Sequence, residues 1–231
     1  MSIKKVVVLS GAGVSAESGI KTFRDSGGLW EEHRIEDVAS PEGWRRNREL
    51  VLNFYNQRRR QLLTCQPNRA HYALAELEQQ YEVVIITQNV DDLHERAGST
   101  RVLHLHGELL KARSSVDDRL VYDWSGDINL GDKCEKGSQL RPHIVWFGEM
   151  VPKIEEAVPL VQTADILIVV GTSLVVYPAA GLVNFSRYEI PKYLIDPNPA
   201  NATGIPNLQV IQQPASTGVD QLVKNLLHQT M

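Results

Sequence analysis

The sequence predicts an α/β fold in which a doubly wound, Rossmann-like parallel sheet carries a small inserted module. Short apolar runs typical of buried strands recur along the 231 residues, and helical patterns fall between several of them. Strands that alternate with helices favour a parallel sheet covered on both faces. The first run also leads directly into a glycine-rich turn. Because open parallel sheets bind ligands at the carboxyl ends of their strands, the residues after each run are the candidate site.

Six apolar runs are predicted to be the strands of this sheet. Each is short and rich in Val, Ile or Leu, as expected for strands that are buried on both faces. The runs are residues 6–9, 83–87, 102–105, 166–170, 193–195 and 208–211. Helices are predicted from Asn68 onward, where Pro67 precedes an apolar stripe, and at residues 154–162, 179–188 and 219–229.

Two stretches interrupt this alternation and are predicted to form the module. Residues 31–65 contain no convincing strand, but a helix is predicted to open with Ser40 and Pro41. Residues 108–143 are polar, with short pieces at 120–124 and 127–130. The predicted division assigns residues 1–30, 66–107 and 146–231 to the main domain, and residues 31–65 and 108–145 to the module.

Composition and charge restrict the classes of partner. A net charge of −4 and an isoelectric point near 6.0 argue against a general affinity for nucleic acid or acidic membranes. No apolar stretch approaches the roughly 20 residues that a membrane helix needs. Two cysteines cannot form a disulfide framework. We therefore expect a cytoplasmic protein without nucleic-acid or membrane partners, and the absence of long tails favours a monomer.

Glycines follow the first predicted strand in the segment GAGVSAESG, residues 11–19. Glycine there permits a tight turn and lets backbone N–H groups approach a pyrophosphate at a helix N-terminus. Gly11, Gly13 and Ala16 fit the dinucleotide fingerprint. A hydride-transferring dehydrogenase would also need a second strand ending in an acid about 20 residues on, but residues 23–30 have the composition of a loop. A different kind of dinucleotide site is favoured, and a purely structural glycine turn is the alternative.

Polar residues follow three further strands, at the same predicted edge of the sheet. They are Gln88, Asn89 and Asp91 after the second strand, His104 and His106 at the third, and Gly171, Thr172 and Ser173 after the fourth. Such residues suit phosphate or ribose contacts, although several of them can instead cap the following helices. The two histidines share a strand face and could ligate a metal. An imidazole beside an acid and a nucleotide loop is a good general base, which favours His106.

Taken together and in this order, the segments resemble the sirtuin family of NAD-dependent protein deacylases. The resemblance rests on GAGVS, SGI and FR within residues 11–24, QNVD at 88–91, HG at 106–107, RPHIVWFGE at 141–149 and GTSL at 171–174. It covers nearly the whole chain. It implies that the main domain binds NAD, that the substrates are acyl-lysine proteins, and that NAD is consumed as a co-substrate.

The resemblance also assigns roles to individual residues. His106 is implied to be the catalytic base, with Asn89 and Asp91 as further catalytic residues. The implied cofactor-binding set is Gly11, Ala12, Gly13, Ser15, Arg24, Gln88, Asn89, Val90, Asp91, Gly171, Thr172, Ser173 and Asp196, the last in place of the asparagine common in the family. The segment Val145, Trp146, Phe147, Gly148 and Glu149 is implied to pair in strand fashion with the substrate backbone.

A candidate acyl-binding pair lies on the helix predicted after Pro41. Tyr55 and Arg58 are three residues apart and share a helix face, where a phenol and a guanidinium can bind a terminal carboxylate. The alternative is that Arg58 belongs to a solvated basic run and Tyr55 to an apolar stripe. The pair, together with Ala39, resembles class III sirtuins, which remove succinyl, malonyl and glutaryl groups. A desuccinylase or demalonylase with some deacetylase activity is therefore predicted. The alternatives are a plain deacetylase, a protein ADP-ribosyltransferase and a non-catalytic NAD or ADP-ribose sensor.

The chain departs from the family pattern in the module. Most sirtuins carry four zinc-ligating cysteines there, whereas this region has only Cys134, with Ser114 and Ser115 where a first pair is expected. One thiol cannot complete a structural zinc site. We therefore expect no zinc, as in bacterial class III-like members without these cysteines. The predicted core of the module consists of Leu120, Val121, Tyr122, Trp124 and Ile128.

Overall fold

The structure, a computed structural model, describes residues 3–20, 29–30, 33–172, 177–199 and 204–228. Its strands are β1 (Lys5–Ser10), β2 (Leu29–Trp30), β3 (His33–Arg34), β4 (Glu82–Thr87), β5 (Val102–His104), β6 (Gly107–Ser114), β7 (Val121–Asp123), β8 (Leu140–Ile144), β9 (Ile166–Val170), β10 (Lys192–Ile195) and β11 (Leu208–Ile211). Its helices are α1 (Gly13–Ala16), α2 (Ile35–Val38), α3 (Pro41–Arg46), α4 (Arg48–Thr64), α5 (Arg69–Leu77), α6 (Leu93–Arg96), α7 (Ile154–Gln162) and α8 (Ala215–His228), with a 3₁₀ helix at Ala179–Phe185. Within the described ranges, no helix is both long enough and apolar enough to cross a lipid bilayer.

The main sheet has six parallel strands in the order β11-β10-β9-β1-β4-β5. From β1 the chain adds β4 and β5 on one side, and it then returns to add β9, β10 and β11 on the other side. This reversal creates a switch point between β1 and β9, where doubly wound sheets bind their ligands. The predicted Rossmann-like fold is confirmed, and the six predicted strands form this sheet with bounds that differ by no more than one residue.

Alternate residues of the central strand enter two separate cores. Val6 and Val8 of β1 pack in the core that α5 and α8 cover, whereas Val7 and Leu9 pack in the core beneath α7 and the 3₁₀ helix. All four side chains are at most 4% exposed. Full burial of each such side chain contributes about 1.5–3 kcal/mol. The sheet is therefore anchored on both faces, and this anchoring fixes the position of the loops at its carboxyl edge.

The residues predicted to belong to the module contain a second, antiparallel sheet in the order β7-β6-β8. The sequence analysis missed β6 and β8. Glu108, Lys111 and Arg113 occupy half-buried positions of β6 and break its apolar pattern. The predicted piece at 120–124 contains β7, but the piece at 127–130 is not a strand.

A third core lies between this small sheet and α4. Ile128 is fully buried in it, and Leu120, Tyr122 and Trp124 are partly buried against it. Val121 was predicted to belong to this core, but it is 38% exposed. The prediction was wrong there because Val121 lies on β7, an edge strand, and occupies an exposed position of that strand.

Buried polar groups tie α4 to the same region. Asn56 forms two hydrogen bonds of 2.9 Å with the backbone of Ile128, accepting from its N–H and donating to its carbonyl. Arg59 is fully buried and donates through Nε to the Leu109 carbonyl at 2.9 Å and through Nη1 to Asn56 Oδ1 at 2.8 Å. Loss of any of these partners would leave a buried polar group unpaired. The helix that carries Tyr55 and Arg58 is therefore held at a fixed orientation.

Candidate active site

The glycine loop after β1 is locked against the loop after β9. The N–H of Gly11 donates to the Val170 carbonyl at 3.0 Å, and the N–H of Gly13 donates to the Gly171 carbonyl at 2.8 Å. Gly171 has a φ of +63°, and a Cβ on it would lie 2.2 Å from the backbone nitrogen of Val14. Only glycine fits there without displacing the backbone. The two loops therefore form one rigid element at the switch point of the sheet.

Three buried polar side chains meet behind this loop. Ser15 Oγ donates to Asp91 Oδ2 at 3.0 Å, and Asn89 Nδ2 lies 3.2 Å from both Ser15 Oγ and the Gly11 carbonyl. Asn89 is 8% exposed and Asp91 is 5% exposed. The sequence analysis expected these residues at one sheet edge, and the structure brings them together. The network connects the loop after β4 to the glycine loop after β1.

Asp91 also has the capping role that the sequence left open. Its Oδ1 accepts from the N–H of Leu93, the first residue of α6, at 3.2 Å. Burial raises the pKa of Asp91 to about 6, although the bonds from Leu93 and Ser15 favour the carboxylate. The group is therefore a buried carboxylate that titrates just below neutral pH.

His106 lies between β5 and β6, with its ring against the loop after β4. Its Nδ1 is 3.0 Å from the Gln88 carbonyl. A carbonyl oxygen only accepts, so Nδ1 carries the hydrogen and Nε2 carries the lone pair in the neutral ring. Burial lowers the pKa of His106, and the Gln88 carbonyl only partly opposes this effect. The imidazole is therefore neutral at neutral pH and presents a basic Nε2.

The glycine after His106 is required by the backbone. Gly107 has a φ of +84°, and a Cβ on it would lie 2.0 Å from the His143 carbonyl oxygen. Gly107 begins β6 and pairs with Ile144 of β8 at this point. The close approach of the two strands fixes the direction in which the chain leaves His106.

The other predicted cofactor residues lie in different environments. Gln88 Nε2 donates to Thr172 Oγ1 at 3.2 Å across the end of β1. Asp196 follows β10, is 1% exposed and accepts at Oδ1 from the N–H of Asn198 at 2.8 Å. The Val90 carbonyl accepts from the N–H of Leu109 at 2.7 Å. Ala12 is half-buried at the start of α1. Two predicted residues lie outside the described residues, namely Arg24 and Ser173.

The histidine at the end of β5, His104, has a different environment from His106. His104 contacts the Asn89 carbonyl through Nδ1 and Glu95 Oε1 through Nε2, at 3.1 and 2.7 Å. The rings of His104 and His106 therefore bind different partners. Among the described residues, no group of three or more His, Cys, Asp or Glu side chains is placed to hold a metal ion.

Several backbone N–H groups of the segment 145–149 donate hydrogen bonds within the protein. The N–H groups of Val145 and Phe147 donate to the carbonyls of His106 and Ala39 at 2.9 and 3.0 Å. The N–H of Glu149 donates to the Trp146 carbonyl at 3.0 Å, which closes a turn. Gly148 in this turn has a φ of +88°. The segment is therefore a short extended piece followed by a turn rather than one continuous strand, so a partner strand would have to pair towards its end.

The Glu149 carboxylate supports this turn from within. It accepts from Arg141 Nη1 at 2.7 Å, from the N–H of Trp146 at 2.8 Å and from Arg113 at 3.3 Å. The Arg141 guanidinium stacks over the Trp146 ring, with Cζ 3.3 Å from the ring centroid. The roles of Arg113 and Arg141 were not predicted from the sequence, because their contacts with Glu149 depend on the unpredicted strands β6 and β8.

Two of the three predicted acyl-binding residues, Tyr55 and Ala39, contact this turn. Tyr55 is fully buried, and its Oη accepts from Trp146 Nε1 at 3.0 Å. Ala39, at 2% exposure, belongs to the same core cluster. Arg58 is half-buried, with Cζ 4.5 Å from the Phe54 ring centroid. Trp146 was predicted only as a backbone contact, but its indole side chain packs beside the Tyr55 ring.

The basic run around Arg58 divides into three environments. Arg59 is fully buried, whereas the Arg60 side chain is 63% exposed and lies 3.3 Å from Asp127. Arg58, between these extremes, packs against an aromatic ring. A uniformly solvated run, the alternative considered from the sequence, does not describe this helix. The apolar-stripe interpretation of Tyr55 holds for its ring, which is buried, while its hydroxyl bonds to Trp146.

Comparison with known proteins identifies the family. The Sir2 family model matches residues 11–178. An NAD-dependent protein deacylase of Helicobacter pylori strain J99 is 59% identical over 225 residues, covering 97% of this chain and 96% of that protein. An NAD-dependent protein deacylase of Bacteroides thetaiotaomicron is 52% identical over 231 residues, covering 97% and 99%.

Solved structures agree with this result. A Sir2 homologue in complex with NAD superposes with a TM-score of 0.89 at 41% identity, covering 99% of this chain and 91% of that one. A mutant Sir2 homologue in complex with ADP-ribose superposes with a TM-score of 0.90 at 41% identity, covering 98% and 93%. Since the family model spans most of the chain and relatives match over nearly its full length, this chain belongs to the Sir2 family.

Proposed function

We propose that this protein is an NAD-dependent protein-lysine deacylase, which releases nicotinamide and O-acyl-ADP-ribose from NAD and an acyl-lysine. The observation that carries the proposal is that Asn89 and Asp91 bond to the glycine loop at the switch point of the main sheet, while His106 bonds to the adjacent Gln88 carbonyl. The names of the H. pylori and B. thetaiotaomicron relatives support the same activity. The catalytic machinery is then a buried polar cluster beside a neutral base.

The residues at the switch point fit NAD. A buried amide, hydroxyl and carboxylate lie together at Asn89, Ser15 and Asp91, which suits a ligand with a carboxamide and ribose hydroxyls. In its ionised form Asp91 would accept from the carboxamide NH₂. Gln88 and Thr172, bridged at 3.2 Å, would contact ribose from two sides of β1. NAD supplies the electrophilic ribose carbon to which the acyl oxygen is transferred.

His106 would then remove a proton from a ribose hydroxyl. Its Nδ1–H bond to the Gln88 carbonyl fixes the tautomer, and this leaves Nε2 as the accepting atom. Once the acyl oxygen had displaced nicotinamide, the activated hydroxyl would attack the acyl carbon. Addition of water and cleavage of the bond to the lysine nitrogen would then give free lysine and O-acyl-ADP-ribose.

One experiment separates this reaction from its alternatives. The protein is incubated with acetyl-, malonyl- and succinyl-lysine peptides, with and without NAD, and the products are followed by mass spectrometry. Free lysine together with O-acyl-ADP-ribose is the expected result. ADP-ribose attached to protein would indicate a transferase, and reduced cofactor would indicate a dehydrogenase. NAD binding without turnover would indicate a sensor.

We further infer a preference for acidic acyl groups such as succinyl and malonyl. Tyr55 and Ala39 contact the turn at Trp146, where an acyl-lysine would enter, and Arg58 lies three residues after Tyr55 on the same helix. Tyr55 Oη accepts from Trp146 Nε1, so a phenol hydroxyl lies beside this turn. Arg58 carries a positive charge in a half-buried position. A guanidinium next to a phenol in such a position favours a terminal carboxylate.

Replacing Arg58 with methionine is expected to lower kcat/KM for succinyl-lysine by at least about tenfold, since a hydrogen bond to a charged group contributes about 1.5–3 kcal/mol. Deacetylation should stay within about twofold, because acetyl has no charge to pair. Arg60→Met is the matched control, since Arg60 is exposed and pairs with Asp127. Both rates are measured on peptides of one sequence. Equal loss of both activities in Arg58→Met would contradict the carboxylate clamp.

The region in which most sirtuins bind zinc is proposed to be held together by hydrogen bonds. Cys134 Sγ lies 3.3 Å from Ser114 Oγ and 3.1 Å from Ser138 Oγ, and the two hydroxyls are 3.0 Å apart. These bonds lower the pKa of the Cys134 thiol to about 7. One thiol and two hydroxyls are a poor donor set for zinc. Ile128 and Leu140, at 0% and 2% exposure, give this region an apolar core of its own.

We therefore expect the purified protein to contain much less than one zinc per chain. A chelator should leave its thermal unfolding midpoint unchanged, because no metal contributes to folding. Elemental analysis and unfolding scans with and without the chelator measure the two quantities. Stoichiometric zinc, or a midpoint that falls on chelation, would overturn the proposal.

A further inference from the structure

Both ring nitrogens of His104 face atoms that only accept hydrogen bonds. Nδ1 lies 3.1 Å from the Asn89 carbonyl oxygen, and Nε2 lies 2.7 Å from Glu95 Oε1. A neutral imidazole has one N–H group and can satisfy only one of these acceptors. Both bonds form when the ring carries two N–H groups, which is the imidazolium. The geometry therefore favours a cation at His104.

The surroundings of the pair agree with this charge. The His104 side chain is 7% exposed and the Glu95 side chain is 40% exposed, so the ring lies inside and the carboxylate at the rim. Burial lowers the pKa of His104. The hydrogen bond to Glu95, the negative charge of Glu95 and the bond to the Asn89 carbonyl together raise it by more, so the net shift of the pKa is upward. For Glu95, burial raises the pKa and His104 lowers it more.

The His104 cation bonds to Asn89 and interacts electrostatically with Asp91, two residues of the proposed active site. Its Nδ1–H holds the Asn89 carbonyl, while the Asn89 side chain reaches the glycine loop. Asp91, two residues on, is buried, and burial raises its pKa. The bonds from Leu93 and Ser15 and the positive charge of His104 act in the opposite direction and favour the carboxylate.

We propose that His104 and Glu95 form a positioning pair, in which the His104 cation orients the Asn89 backbone and keeps Asp91 ionised at neutral pH. The proposal rests on the proposed function, in which ionised Asp91 accepts from the nicotinamide carboxamide. His104 touches no substrate in this scheme and acts through Asn89 and Asp91.

Other charged groups surround the pair without replacing it. On the loop after β4, Asp92 opposes ionisation of Asp91. Cys65, at the end of α4, also interacts with Asp91, and burial raises the pKa of its thiol, so it stays neutral at neutral pH. Arg96 of α6 interacts with Asp92 and Cys65.

From β6, Glu108 favours the cation at His104, whereas Lys111 favours the charged form of Glu95. His94 of α6 also interacts with His104. Burial lowers the pKa of His94 well below its usual range, and the neighbouring imidazoles His71 and His104 lower it further, so His94 stays neutral.

The pH profile of kcat/KM for NAD tests the proposal. Asp91 titrates with a pKa of about 6, so activity should fall as the pH drops through this value. In His104→Gln the acidic limb should move upward by about one pH unit, because a neighbouring opposite charge is lost. At about pH 9, where Asp91 is ionised in either protein, the rates should converge.

Two further variants make this test decisive. Glu95→Gln removes the partner charge at a half-exposed position and should shift the limb in the same direction by a smaller amount. His228→Gln, at the exposed end of α8, is the control and should leave the limb unchanged. An unshifted limb in both test variants, or a loss of rate that is equal at every pH, would overturn the proposal.

A measurement on the free protein does not depend on activity. In ¹⁵N-histidine spectra at neutral pH, His104 should show two protonated nitrogens, assigned by its loss in His104→Gln. In Glu95→Gln the same ring should become neutral at a lower pH. A neutral His104 ring in the unmodified protein would contradict the ion pair. Absence of NAD-dependent deacylation would instead overturn the proposed function, while the spectra would still decide the state of His104.

Discussion

Replacement of His106 by asparagine is expected to lower the kcat for deacylation by about 1000-fold, because a positioned general base contributes roughly 10²–10⁴-fold. Asparagine retains an N–H donor for the Gln88 carbonyl, which His106 Nδ1 contacts at 3.0 Å, but it has no basic nitrogen. NAD affinity should change little, since Ser15, Asn89 and Asp91 are untouched. The rate is measured with acyl-lysine peptides by mass spectrometry, and NAD affinity by calorimetry.

The two halves of the reaction should respond differently to this change. In the proposed reaction nicotinamide leaves before the base acts, so labelled nicotinamide should still exchange into NAD when an acyl peptide is present. His228→Asn is the matched control, because it removes an exposed imidazole far along the chain. If His106→Asn stays within about tenfold of the parent rate, a different group is the base.

The pH dependence of this step has a definite sign. Burial lowers the pKa of His106 below its ordinary value, so the neutral ring is present at neutral pH. Activity that depends on His106 should therefore be lost only as the pH falls through this lowered pKa. Asp91 has a pKa of about 6, so its protonation also lowers activity on acidification.

The sequence was sufficient for the part of the site that lies at strand ends. Each buried strand is an apolar run, and the first polar residues after it lie at the carboxyl edge by the geometry of a parallel sheet. This reasoning placed Asn89, Asp91 and His106 together, as the structure does. Pairings across the chain had no such local signal. Trp146 and Tyr55 bond across 91 residues, and Arg113 and Glu149 across 36.

The role of Glu149 illustrates this limit. From the sequence it was predicted to belong to a segment that contacts substrate. In the structure its carboxylate faces inward to Arg141, Arg113 and the N–H of Trp146. The strands that bring the two arginines there were not predicted, because half-buried charged residues hide the apolar alternation of β6. Glu149 therefore shapes the proposed substrate segment through its contacts with the protein.

Replacement of Glu149 by leucine is expected to lower the free energy of unfolding by about 3 kcal/mol, because it leaves a buried guanidinium without its counter-charge. The Arg141 side chain is 9% exposed and the Glu149 side chain 20%, so solvent compensates little for the loss. The turn at 146–149 should loosen as Trp146 loses its N–H partner, and KM for the acyl peptide should rise more than kcat falls. Denaturant unfolding and peptide kinetics measure the two effects.

A second substitution distinguishes the ion pair from simple packing. In Glu149→Leu combined with Arg141→Met, no buried charge remains unpaired, so the double variant should be more stable than Glu149→Leu alone. Peptide KM should stay high in the double variant, because the N–H of Trp146 still lacks its acceptor. Strictly additive losses of stability would mean that the two side chains are not coupled. Recovery of stability without recovery of KM would show that Glu149 serves the fold through Arg141 and the substrate segment through Trp146.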